Sequence, residues 1–267
     1  IDHYLAKEMA QNIVAVRGGN ALFSHLWNNN FVQSIEVIAS ETIDIENRAQ
    51  FYEQTGALRD VVQGHLMQLL ALTLMDIPAD FNWDHLPELR LRALEQLEAA
   101  NPAVAYRAQY EGYQDEVNNP GSQTETFVSI ALRSRQPRWL DVPITLIAGK
   151  SLDQKPTGAR INHQRLHETQ SNTMVFKRQP KATLETGLFI KKPGFDRAFE
   201  TRSLGFIYPE DETLPDAYEH VIVDAIHSRK SLFTSSGEVL ESWRILAPVQ
   251  QNWNMNTTQL TTYPKNT

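Results

Sequence analysis

Apolar residues recur along this chain in two rhythms, and the change of rhythm divides it. Residues 3–17, HYLAKEMAQNIVAVR, carry Leu5, Met9, Ile13 and Val16 at helical spacing, and Gly18-Gly19 ends the run. FVQSIEVIAS, residues 31–40, is β-branched and alternates at Ile35 and Val37, which predicts a strand. A long helix is expected from residue 56 to about Met75, stopped near Pro78. Another is expected from Pro87 to about Ala99, broken by Asn101-Pro102. Beyond residue 120 the rhythm becomes twofold. Residues 124–134, 142–150, 159–167, 173–179, 182–192 and 198–208 read as strands between Pro, Gly, Asn and Ser clusters. Two helices come next, Pro215 to about His227 and Glu238 to about Val249. Residues 254–267 read as a polar tail.

Helices, then strands, then helices again predict an α+β fold, with a large, mostly antiparallel sheet and helices packed on one face. One domain is expected over residues 1–253. There is no GxGxxG turn and no P-loop, so a nucleotide-binding fold is not expected in this chain. Of the 267 residues, 41% are hydrophobic and 21% charged, a composition that can build a core. The net charge of −7, without a basic run, argues against nucleic acid as a partner. No apolar run is long enough to span a membrane. The absence of cysteine excludes disulfides and thiolate chemistry and fits a reducing compartment; a cytoplasmic location is expected. The chain opens on Ile1, already inside a motif, so a piece of a longer protein is expected.

Three groups of residues carry chemistry in principle. On a helix His3, Tyr4 and Lys7 would share a face near its N-terminus, where backbone amides favour an anion. A solvated helix start explains them equally well. His65 interrupts the apolar column Leu58, Val61, Val62, Leu66, Leu69 and Leu70. It is either a core imidazole bonded to a carbonyl or a base. Asp60 cannot orient it on an ideal helix, since five residues place the two about 140° apart. A base would therefore need a carboxylate from elsewhere. Lys150 and Lys155 lie just past a strand end, where they reach an anion or stand as plain surface lysines.

Together these pieces resemble a known family. IDHYLAKE, residues 1–8, is similar to the signature R-I-D-H-Y-L-G-K-E of glucose-6-phosphate dehydrogenases. RDVVQGHLMQLL, NPGSQTETFV, VPITLIAGKSL, LPDAYEHVIVDAI and ESWRILAPV resemble further motifs of that family, in its order. The resemblance implies that His65 is the general base and that Asp2 holds it. It implies that His3, Tyr4 and Lys7 bind the phosphate of glucose 6-phosphate. Glu41 and Asp60 would bond the sugar hydroxyls, and Lys150, Lys155 and Gln179 would complete the site. The implied hydride acceptor is NADP, in some relatives NAD, with no metal, and the implied assembly is a homodimer or tetramer through the sheet.

The departures are Ala6 for the signature glycine, Gly64 where the family has Asn, and Ile147 where it often has Arg. Gly64 costs about 1 kcal/mol of helix propensity relative to Ala. Ile147 removes a residue that in some relatives helps hold a second, structural NADP. The family's N-terminal Rossmann domain, which binds the coenzyme, has no counterpart in these residues. The chain alone is therefore expected to be inactive. Two other readings stand beside this one. The first is a non-catalytic sugar-phosphate-binding or assembly module; the second is a split enzyme with its coenzyme domain on another chain.

Overall fold

The computed structural model describes residues 1–154, 156–166, 171–179, 182–208, 215–255 and 260–267; at 178–179 it describes the backbone alone. Its centre is a nine-stranded sheet in the order β8-β7-β6-β5-β1-β4-β3-β2-β9. The strands are β1 Val32–Ser40, β2 Tyr106–Tyr110, β3 Phe127–Leu132, β4 Ile144–Gly149, β5 Thr157–His163, β6 Thr173–Gln179, β7 Thr183–Lys191, β8 Phe199–Ile207 and β9 Thr261–Tyr263. Only the pairs β1·β4 and β2·β9 are parallel.

Alternation becomes a core through register. Ile130, Leu146, Val37, Ala159 and Phe176 are opposed in turn across five strands, and so are Leu132, Ile144, Ile35, Ile161 and Met174. Each lies at 3% exposure or less, so one face of the sheet is a continuous apolar surface. Gly158 lets β5 and β6 meet: its φ is +151°, and a Cβ would stand 1.8 Å from the Phe176 carbonyl oxygen.

Helices pack on that face. The described helices are α1 Glu8–Gly19, α2 Ala21–Ser24, α3 Ala49–Ala57, a π-helix Leu58–Leu66, α4 Met67–Leu74, α5 Leu86–Glu95, α6 Tyr113–Glu116, α7 Ala217–Ile226 and α8 Ser236–Met255. The π-helix packs on β1 and β4, α4 on β5, and α1 on β6. Every residue of α4 is buried, as expected of a helix apolar all round. Arg17 of α1 donates to the carbonyls of Leu72 and Met75, capping the C-terminal end of α4. Burial pushes that guanidinium down to about 9. Arg90 of α5 and Glu238 of α8 pair at 2.6 Å with no exposure.

Four expectations are corrected. The first helix starts at Glu8, because residues 3–6 form a turn in which Asp2 takes the Tyr4 amide. Residues 56–75 are not one α-helix: Gly56 kinks the chain and the nine residues from Leu58 wind as a π-helix. The strand expected over residues 159–167 ends at His163. The polar tail holds β9, which adds to β2 while the Tyr263 hydroxyl bonds the Lys150 carbonyl at 2.8 Å. Burial pushes the Tyr263 hydroxyl up to about 12.

Candidate functional site

The N-terminal turn and the π-helix meet at one contact. Asp2 Oδ1 lies 2.9 Å from Nδ1 of His65 and accepts the Tyr4 amide at 2.7 Å. Asp2 is 4% exposed, and its second oxygen has no partner among the described residues. A buried carboxylate oxygen left open is costly. The Tyr4 ring stacks on His65 with centroids 4.2 Å apart and planes 6° apart. His3 closes the group edge-on, 4.7 Å from His65 and 4.8 Å from Tyr4. The imidazole is thus held on one nitrogen by a carboxylate and on one face by a ring, while 23% of its side chain stays exposed.

The π-helix changes the relation between Asp60 and His65. Its hydrogen bonds run from i to i+5, so residues five apart come nearly above one another. The divergence expected of an ideal helix therefore does not hold. Asp60 still is not the orienter, since it pairs with Arg48 at 3.5 Å and Asp2 holds the imidazole.

Glu41 and Lys150 stand just beyond the ends of β1 and β4. These strands are parallel, with Ser40 opposite Gly149, so the next residue of each emerges side by side. Lys150 is 5% exposed, donates to Glu41, and lies 5.4 Å from the Tyr52 ring. Lys7 lies just before α1, lines a small cleft with Tyr4 and Phe176, and pairs with Asp216 at 3.6 Å. Asp216 caps α7, and that backbone hydrogen bond is the main force holding its carboxyl below the usual range. Lys155 lies outside the described residues. Gln179 ends β6, with its side chain outside them.

The structure therefore brings Asp2, His3, Tyr4 and His65 into contact. It pairs Glu41 with Lys150 and gives Asp60 and Lys7 separate ion-pair partners. The reading from sequence missed Arg48, Tyr52 and Asp216 as partners of these residues. Asp216 alone carried a signal, since Asp-x-x-Glu at 216–219 is a capping box. Asp2, His3 and His65 also offer metal-type ligand atoms within 4.8 Å of one another. Asp2 Oδ1 already serves two hydrogen bonds and so fixes the orientation of the imidazole.

The glucose-6-phosphate dehydrogenase C-terminal domain family matches residues 14–267. The glucose-6-phosphate 1-dehydrogenase of Chlamydia trachomatis is 32% identical over 95% of this chain and 64% of its own length. That of Dictyostelium discoideum is 33% identical over 93% of the chain and 54% of its own. The chain thus spans only part of the curated relatives it matches. A solved glucose-6-phosphate dehydrogenase in complex with glucose 6-phosphate superposes with a TM-score of 0.92, at 29% identity, over 100% of this chain and 59% of that one. The Mycobacterium avium enzyme superposes at 0.88 with 27% identity, again over 100% and 59%. On the family match and the two superpositions, this chain belongs to the C-terminal domain family of glucose-6-phosphate dehydrogenases.

Proposed function

We propose that this chain supplies the sugar-phosphate site and the general base of a glucose-6-phosphate dehydrogenase, which oxidises glucose 6-phosphate to 6-phosphogluconolactone with NADP. The observation that carries the reading is the buried Asp2 carboxylate on Nδ1 of His65. A carboxylate accepting from Nδ1–H fixes the tautomer and leaves Nε2 with a free lone pair. In this reading Nε2 takes the proton of the C1 hydroxyl, which makes C1 a better hydride donor, and Asp2 stabilises the imidazolium that forms. NADP is the hydride acceptor the family implies. The described residues include no βαβ unit with a glycine-rich turn to seat it, so the steps assigned to this chain are the substrate's alone.

His3, Tyr4 and Lys7 would hold the phosphate. The Lys7–Asp216 pair is long and partly exposed, hence weak, and a dianion can displace it. Glu41, Asp60, Lys150, Lys155 and Gln179 would hold the sugar. Remote phosphate binding then positions C1 for reaction. A homodimer or tetramer through the sheet accords with Leu188, Ile190, Leu204 and Phe206, which share one face of β7 and β8 at 42–64% exposure. A cytoplasmic location accords with the cytoplasmic isoforms among the relatives, in Arabidopsis thaliana and Solanum tuberosum.

The test is steady-state oxidation of glucose 6-phosphate by the full-length protein and its His65→Ala variant, with calorimetry of sugar-phosphate binding. The variant should lose about 10²–10⁴ in kcat and keep its affinity within a few-fold. A near-normal rate would remove His65 from the role of base. An inactive full-length wild type would sink the whole reading.

A further inference from the structure

The π-helix that carries Asp60 and His65 begins at an unusual junction. Gly56, the residue but one before it, sits at φ +65°, ψ 175°, a region open in practice to glycine alone. The space beside Gly56 is occupied by the Glu125 side chain: a Cβ there would stand 2.4 Å from its Oε1. That same Oε1 accepts the backbone N–H of Leu58, the first π-helical residue, at 2.9 Å. The Glu125 carbonyl accepts the N–H of Ala57 at 3.0 Å. One residue thus satisfies two successive amides at the helix start, groups that have no partner within the helix.

Glu125 is itself tightly placed. It is 8% exposed and lies between Thr124, whose hydroxyl donates to the Glu53 carbonyl, and Thr126, whose hydroxyl accepts the Tyr110 amide. Its backbone leads directly into β3, which pairs with β4, the strand the π-helix packs on. Sheet and helix start are therefore joined through one side chain. A buried carboxylate with no salt-bridge partner among the described residues is a poor choice for stability alone. It is a good choice where the direction of the attached helix matters.

We propose that Glu125 is a positioning residue, whose carboxylate reaches Leu58 N–H and so sets the direction of the π-helix that presents Asp60 and His65 to the sugar. This rests on the reading of His65 as base. Reach, and not charge, is the property the geometry requires. Glu125→Gln keeps an oxygen at the same distance from the backbone. Glu125→Asp keeps the charge and shortens the arm by one methylene. Gly56→Ala disturbs the same contact from the other side, driving a methyl group into the carboxylate.

The experiment measures all three variants in the full-length enzyme, with activity normalised to the fraction folded by circular dichroism. Glu125→Gln should stay within twofold of wild type in kcat/KM. Glu125→Asp and Gly56→Ala should each lose about tenfold or more, since small misplacements of reacting groups are costly. Their KM for glucose 6-phosphate should rise and the acidic limb of the kcat/KM pH profile should move. A purely structural role would lower the amount of active enzyme and leave KM and the limb unchanged. The proposal is overturned if the shortened variant is within twofold of wild type, if Glu125→Gln is as impaired as Glu125→Asp, or if KM and the limb stay fixed. Should Glu125→Asp fail to fold, Glu125→Met, which keeps the length of the arm and removes the accepting oxygen, decides by the same readouts. An inactive wild type would refute the assigned reaction and not this contact.

Discussion

Asp2 Oδ1 does two things with one atom: it stops the chain from entering a helix at Tyr4 and it holds the ring of His65. A side chain that captures a nearby amide competes with helix formation, so the turn and the oriented imidazole have a single cause. Glu125 makes a comparable double use of its atoms, and its titration gives a prediction at this scale. Burial holds its carboxyl above the ordinary range, against the opposing pull of the Leu58 N–H and of Arg107 and Arg59. The folded protein therefore binds this proton more tightly than the unfolded chain does. The stability contributed is fully present below the unfolded pKa and is lost as pH rises through the higher folded value. Glu125→Gln has no proton to lose. Its stability relative to wild type should increase as pH rises above the ordinary carboxylate range, measured by urea unfolding at a series of pH values. A pH-independent difference would show that Glu125 does not titrate over that series.

Among elements, the π-helix decides most. It is rare winding, often found at functional sites, and it sets Asp60 and His65 on neighbouring positions of one side. Gly64 inside it is dispensable by geometry: a Cβ there would find nothing within 4 Å. Gly64→Ala should stabilise the protein by about 0.5–1 kcal/mol through loss of unfolded-state freedom, read as a higher urea midpoint at unchanged slope. A lower midpoint would mean that this turn needs glycine for its backbone. The alternating runs β1 and β3 to β6 were legible because each has one buried face to satisfy; β7 and β8 alternate as well, although they are largely exposed. The π-helix was not, because apolar spacing does not separate its period from that of an α-helix over nine residues. Nor were β2, YRAQY, and β9, TTY, which are short and gain their place from neighbours. Of the site, the oddity of His65 was visible locally. Its contact with Asp2 spans 63 positions, which no periodicity encodes; only the resemblance suggested it.

At the scale of the molecule, Leu188, Ile190, Leu204 and Phe206 on one face of β7 and β8 are left exposed by the described residues. Leu204→Glu with Phe206→Glu should convert an oligomer of the full-length protein to a smaller species in light scattering, with the fold intact by circular dichroism. An unchanged mass would place the subunit contact elsewhere. The sheet order carries a different consequence. β1 comes from the first forty residues, yet its neighbours, β4 and β5, are made roughly a hundred residues later. Pairings so remote in sequence close slowly, because a long loop must be ordered before they reward it. During synthesis Val32, Ile35 and Val37 emerge roughly a hundred residues before the strands they pair with. The segments bearing the imidazole and its carboxylate also precede β4, on which the π-helix packs. In a nascent chain, then, Asp2 and His65 are made well before the strands of the sheet that secures them.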